Sequence, residues 1–463
     1  MLCLRMARKR KNVSRNRKIK DDHRQPDNNG TYTAELPSNV IDQILSLIST
    51  KRAVRAGLLS KEWGHLWSSV PVLDFDEDED GKPGDKLQRR KFINFIRRCL
   101  KRRRKDKSNI DKFRLHMRYY GSLTSVNQWL SLAAERNVKE LEISFIREKN
   151  PGTRSHRPFY LPQTILNNAK SLTTLKLESV TVKDSIDAVS LPSLKTMSLE
   201  LVQFRSSLSL MQLISGCPSL ERVLITSCTG LSDLKILSSS LKSLEVVNCY
   251  VQGIKVEAGN LESLKFYGNF CSRYMFHTFD IFTCQRVRSI EFRAIFLTDA
   301  WCKGFNLSFP LLESLALHQC LWDYWEFEQI KISSQNLKRF VFSDSGCIKP
   351  FFLLDLPNLS EARIDLRYRP VESAIPWDFK CLRNCLENFN TSRKLILHVT
   401  LPQLCTFPEW IRNNYPPPLP SLKYLEVEIS DSTTAATDSA LMDSLHWMAP
   451  VSQVSIHYET TSA

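Results

Sequence analysis

From Leu172 onward the apolar residues fall into one recurring frame: two positions three apart and a third two further on. It reads Leu172, Leu175, Leu177; Leu194, Met197, Leu199; Leu220, Val223, Ile225; Leu241, Leu244, Val246; and Leu261, Leu264, Phe266. It continues as Val287, Ile290, Phe292; Leu312, Leu315, Leu317; Leu337, Phe340, Phe342; and Leu359, Ala362, Ile364. The middle positions step by 20 to 26 residues, inside the spacing of a leucine-rich repeat. Weaker copies stand at Val138 to Ile143, at Leu395, at Leu422 to Val427 and at Val454 to Ile456. Alternation at the end of each frame predicts a short strand, and the rest of each unit a helical or irregular return. One such unit buries its apolar side only against neighbours, so the pattern predicts an α/β solenoid built on a curved parallel sheet. Cys228, Cys249, Asn269 and Cys320 follow the last apolar position by three residues. Their side chains are expected to meet backbone groups left open where the strand ends.

Before the repeat the period is helical. Pro37 suits a first turn, and Ile41, Ile44, Leu45 and Ile48 follow along one helix face. Thr50 is placed to cap a second helix carrying Ala53, Val54, Ala56 and Leu58, and Ser60 a third with Trp63, Leu66 and Trp67. Pro71 ends the run. Three helices in about forty residues bury too little to stand alone, so the unit is expected to be completed by a partner. DEDEDGKPGDK then reads as an acidic surface linker. Phe92, Ile93, Phe95, Ile96, Cys99 and Leu100 predict a docked helix with cations on its outer face. Trp129, with Val126, Leu130 and Ala133, predicts a further helix that caps the exposed end of the stack. The expected organisation is a disordered basic tail over 1–34, the three-helix unit over 35–76, an acidic linker over 77–88, and the repeat domain with N-terminal capping helices over 89–463.

Composition changes this picture little. The 463 residues are 42% hydrophobic and 24% charged, which is globular, and no apolar run reaches the length of a membrane span. The N-terminus lacks the apolar segment of a secretory signal, so an intracellular protein is expected, in the nucleus, the cytoplasm or both. The net charge of +15 suggests nucleic acid until it is located. Residues 1–20 hold nine Lys/Arg and no acid, residues 86–107 hold twelve against Asp106, and the rest of the chain carries 43 basic and 48 acidic residues. The body is therefore slightly acidic, and the distribution argues against nucleic acid as a partner. Lys9 to Lys11 and Arg15 to Lys18 in the tail fit either a nuclear import signal or a solubilising arm. Thirteen cysteines suit no disulfide framework, and none has zinc-knuckle spacing. With no HExxH, glycine-rich phosphate loop or GxSxG, the chain is expected to have no cofactor, no metal and no catalytic residues.

Leu36-Pro37, Leu59-Ser60-Lys61, Trp63 and Leu66-Trp67, in this order and spacing, resemble an F-box in the form found in plant F-box/leucine-rich-repeat proteins. VSLPSLKTMSLELVQF, SGCPSLERVLITSC and SVNQWLSLAAERNVKELEI resemble stretches of the same family. Ser38, Ser49 and Glu62 depart from the acid, proline and basic residue usual there. The resemblance implies a non-catalytic substrate-recognition subunit of an SCF-type (Skp-cullin-F-box) E3 ubiquitin ligase. Its F-box would bind a Skp-type adaptor, and through it a cullin, while the solenoid holds a target protein. The adaptor-facing residues it implies are Leu36, Pro37, Ile41, Ile44, Leu45, Val54, Leu58, Leu59, Trp63 and Trp67. Two other readings stay open: a nuclear repeat scaffold without a ligase role, and a basic nucleic-acid-binding protein.

Strand alternation picks out the side chains that face away from the core. These are Lys176, Glu178, Glu200, Arg222, Glu245, Lys265, Tyr267, Glu291, Arg293, His318, Arg339, Glu361, Arg363 and Asp365. Their mixed charge suits a protein target on the concave, strand side.

Overall fold

The computed structural model describes residues 38–58, 67, 70–79, 86–105, 108–118, 123–146, 158–184, 186, 188–268, 278–322, 330–344, 352–367, 377–430 and 438–458. The basic tail, with the import signal read in it, lies outside them. Fifteen strands form one parallel sheet whose spatial order is the chain order, from Val72–Asp76 to Gln453–Tyr458. Neighbouring strands pair without slippage of the repeat frame: Leu175 lies beside Met197, Met197 beside Val223, and Leu244 beside Leu264. The frame's apolar positions therefore stack in continuous rows, with Leu175, Met197, Leu244, Ile290, Leu315 and Phe340 all fully buried. Returns on the other side supply the rest of the core, through helices such as Ser207–Ser215, Asp299–Ser308 and Phe379–Glu387.

A second periodic feature ends six of the strands. Ser179, Leu201, Ser227, Asn248, Ala294 and Gln319 directly follow their strands and take φ between 51° and 57°. This left-handed turn aims each N–H at the last strand carbonyl of the next repeat, as in Ser179 N to Glu200 O (2.9 Å), Ser227 N to Val247 O (2.8 Å) and Ala294 N to His318 O (2.9 Å). The cysteines behave as the pattern implies. Cys228 Sγ donates to Leu199 O (3.4 Å), Cys249 Sγ to Ile225 O (3.7 Å) and Cys320 Sγ to Phe292 O (3.8 Å), each a carbonyl of the preceding repeat. Asn269 lies outside the described residues.

The beginning of the sheet differs from expectation. Strands Val72–Asp76 and Lys112–Arg118 precede the first recognised frame, so the sheet starts within the segment read as the three-helix unit. Trp129, 5% exposed, sits on helix Leu123–Glu135 between the second and third strands. It fills a return and does not cap the stack. After helix α1 (Ser38–Ser46), helix α2 (Thr50–Ala56) packs on the first strand. Ser49, not Thr50, is the N-cap of α2, its side chain accepting from Arg52 N. Thr50 Oγ1 instead accepts from Asp74 N (2.8 Å) on the first strand. The described acids after that strand are engaged: Glu79 accepts from the Ser49 hydroxyl and from Arg52 Nε (2.9 Å), Glu77 from Arg118 N (2.7 Å), and Asp78 from Arg118 Nη2 (3.0 Å).

The basic helix α3 (Lys86–Lys105) docks as its pattern predicts, burying Ile96, Cys99 and Leu100 and leaving most cations outside. Arg103 is the exception at 3% exposed. Its guanidinium donates to Val70 O, at the end of the helical unit, and to Asn109 O (3.3 Å), before the second strand. Removing it strands the carbonyl of buried Val70, an unmade hydrogen bond costing about 1–3 kcal/mol. Arg103→Ala should destabilise the protein by about 2 kcal/mol or more in urea denaturation, and Arg103→Lys by less; an unchanged midpoint would show that solvent replaces these bonds.

Candidate interaction surfaces

The N-terminal helical unit has a small core of Ile41 (2% exposed), Leu45 (1%), Ala53 and Val70, with Ile48, Ala56, Trp67 and Val72 packed around it. This corrects the adaptor-facing set. Ile41 and Leu45 turn inward because the helical stripe that carries them is the one that meets α2 and Val70. Val54 packs half-buried against the main core, Trp67 is half-buried beneath the Arg102 guanidinium (5.1 Å to the ring centroid), and Ile44 is intermediate. Leu36, Pro37, Leu59 and Trp63 lie outside the described residues. Leu58 is outward at 79% exposed, joined by Leu47 at 87%, which the helical stripe did not select. Leu47 sits one residue past α1, and its exposure follows from where the helix ends rather than from its period.

On the open face of the sheet, the residues between the two buried rows line up strand by strand. Arg114 bridges Asp74 (3.2 Å), Asp76 (3.5 Å) and Glu142 (3.1 Å), and Lys176 reaches Glu142 (3.8 Å). Of these only Lys176 was predicted, because the outward set rests on the strong frames, which begin at Leu172. Glu200 and Arg222 are exposed, Arg222 donating to Thr196 Oγ1 (3.1 Å), and Glu245 is half-exposed. The middle of the face brings five predicted residues together. Glu291 accepts from the Tyr267 hydroxyl and pairs with Lys265 (3.3 Å) and His318 (3.8 Å), while Arg293 stacks on the Tyr267 ring (4.8 Å). Burial would push the Glu291 carboxyl up, but Tyr267 and Lys265 outweigh it and hold it below the usual range. Burial, then the Glu291 bond, raises the Tyr267 hydroxyl to about 12. Burial and, after it, Arg293 keep the His318 imidazole below its ordinary value.

Further along, Arg339 pairs with Glu361 (3.2 Å). Arg363 is held by Asp365 (2.8 Å) and by both oxygens of Glu428 (3.1 and 2.7 Å). Asp365 does not fit a contact role. It is 7% exposed, lying under Arg363 and near His398 (4.0 Å), which alternation alone cannot foresee. Among the described residues no group of His, Cys, Asp and Glu is arranged to hold a metal ion, and no helix is long and apolar enough to cross a membrane. The described cysteines are buried, and burial pushes the thiols of Cys99, Cys217 and Cys405 up to about 12.

Comparison with known proteins agrees with this division. The F-box domain model matches residues 34–75, and the model described as FBD-associated F-box protein At5g56370, LRR repeats, matches residues 126–277. The chain thus carries an F-box followed by leucine-rich repeats of the FBD-associated F-box type. Among similar Arabidopsis thaliana proteins, FBD-associated F-box protein At5g38590 is 32% identical over 237 residues, 50% of this chain and 54% of that protein. Putative F-box/FBD/LRR-repeat protein At4g00315 is 33% identical over 246 residues, 50% of this chain and 52% of that protein. Putative F-box/FBD/LRR-repeat protein At1g66290 is 25% identical over 398 residues, 77% of this chain and 80% of that protein. The chain spans about half the length of the first two relatives it matches.

The depressed His318 pKa has a stability consequence. Between that value and the ordinary histidine value the unfolded chain takes up a proton that the native site refuses, so stability falls as pH drops through this window and levels off below it. Melting temperatures taken from about pH 7.5 to about pH 5.5 should decline less steeply in His318→Gln than in wild type; parallel curves would mean that His318 titrates normally.

Proposed function

We propose that this chain is the substrate-recognition subunit of an SCF-type E3 ubiquitin ligase, with its F-box docking on a Skp-type adaptor and its repeat sheet holding a target protein. The observation that carries the reading is the pairing, on one chain, of an F-box with a long open sheet face. Leu47 and Leu58 stand out of the F-box into solvent, and aliphatic side chains exposed this fully on so small a unit suit a protein interface. The chain would contribute no bond-making chemistry. It would act by raising the effective concentration of the target beside a ubiquitin-charged enzyme. The target's place on this reading is the Lys265, Tyr267, Glu291, Arg293 and His318 cluster, where aromatic, cationic and anionic groups converge on one half-exposed stretch. The basic tail would direct nuclear entry.

Because Leu58 is exposed, truncating it tests binding without removing core. Leu58→Ala should weaken adaptor binding at least roughly thirtyfold, about 2 kcal/mol, with unchanged melting. Wild-type protein that fails to co-purify with a Skp-type adaptor would sink the ligase reading. Tyr267→Ala with Arg293→Glu should abolish target capture, read by mass spectrometry of co-purifying proteins, while adaptor binding persists; an unchanged set of captured proteins would move target recognition off this face. Alanine at Lys9, Arg10, Lys11, Arg17 and Lys18 should shift a fluorescent fusion toward the cytoplasm, and an unchanged distribution would leave the tail a solubilising arm.

A further inference from the structure

Among the described residues, strand Gln453–Tyr458 ends the sheet and is paired on one side only. Its apolar residues Val454 and Ile456 are partly buried, whereas Leu425 and Val427, beside them in register on the preceding strand, are fully buried. Gln453 N–H donates to Lys423 O (2.9 Å), which sets the parity of the strand. Main-chain groups of Gln453, Ser455 and His457 face the sheet, and those of Val454, Ile456 and Tyr458 face outward. Among the described residues no strand pairs with that outer edge. The strand also carries no Lys, Pro, Asp or Glu, the residues with which proteins keep an open edge from recruiting another strand.

We propose that this edge is a contact between two copies of the chain, their last strands pairing antiparallel about a twofold axis through Ser455. The sequence is self-complementary about that residue. With the two Ser455 opposite each other, Val454 falls opposite Ile456 of the second copy, and Gln453 opposite His457 of the second copy. Val454 and Ile456 are also the residues whose N–H and C=O point outward, so they form the hydrogen-bonded pairs and Ser455 the non-hydrogen-bonded pair. The apolar pairs then fall on the side of the buried rows and extend the core across the axis. Gln453, Ser455 and His457, all exposed, stay on the open face. A strand from another protein would have to bring its own matching alternation, whereas a second copy brings it by symmetry.

Light scattering on the full chain at micromolar concentration should give the mass of a dimer. Ser455→Lys and Ser455→Asp each set like charges opposite one another at the axis, so each alone should run as a monomer, and an equimolar mixture should recover the dimer. Both changes lie on an exposed position, and an unchanged circular-dichroism melt shows that the monomer still folds. Ser455→Cys should form an intermolecular disulfide under mild oxidation, since facing non-hydrogen-bonded residues bring their Cα atoms to about 4.5 Å. A monomeric wild type, a dimer that survives Ser455→Lys, or two single variants that do not associate when mixed would overturn the proposal.

Discussion

In-register pairing of parallel strands is the constraint on which the rest of this molecule depends. A repeat of 20 to 26 residues has one short strand and two or three apolar side chains to bury, and it can dry them only against the same positions of its neighbours. Pairing Leu244 with Val223 on one side and Leu264 on the other does this. A slip of one residue would turn every leucine to water and every charge to the core. The left-handed turn after six of the strands protects the register, because its N–H reaches the next repeat's carbonyl only when the strands end level. Cysteine suits the position that follows: it is small enough to be buried and its thiol donates weakly to a carbonyl that the turn leaves open.

The same register decides what the open face can offer. Residues at equivalent positions stand about 4.8 Å apart on adjacent strands, so opposite charges become cross-strand pairs. Arg114 between Asp74 and Glu142, and Glu291 beside Lys265, are examples. Pairs of this exposure are worth about 0.2–1 kcal/mol each, and a partner with matched groups can replace them at little cost. Arg363, gripped by Asp365 and by both oxygens of Glu428, is the contrary case. It ties its own strand to Tyr424–Ile429 across the strand that lies between them, and has less to exchange.

The repeat from Leu172 to Ile364 was legible because leucine, valine and isoleucine recur there at one period, and the cysteine role followed from its place in the frame. The first two strands were not legible. Val72–Asp76 and Lys112–Arg118 alternate correctly, with buried residues at every second position, and even carry the frame as Val70, Leu73, Phe75 and Ile110, Phe113, Leu115, but their middle positions lie 40 residues apart, outside the period by which the repeat is recognised. Ile41 and Leu45 show a different limit. A helical stripe identifies the face that is buried, and cannot say whether its own module or another protein buries it. Asp365 shows a third, for alternation assigns it to the outer side and only Arg363, laid across it, removes it from water.

These limits meet at the F-box. Its size argues that something else must complete it, and the structure identifies a first answer inside the chain. Thr50 bonds the first strand, Glu79 reaches back to Ser49 and Arg52, and Arg103 closes the junction by holding carbonyls from both sides. Both bonds come from one guanidinium nitrogen, Nη2, whose two N–H groups lie in fixed directions, an arrangement a lysine holds less rigidly. Small size alone is therefore no argument for an outside partner, since the sheet already supplies the missing contact. What argues for one is the pair of leucines at 47 and 58, which remain in water after the sheet has taken everything else the two helices can bury.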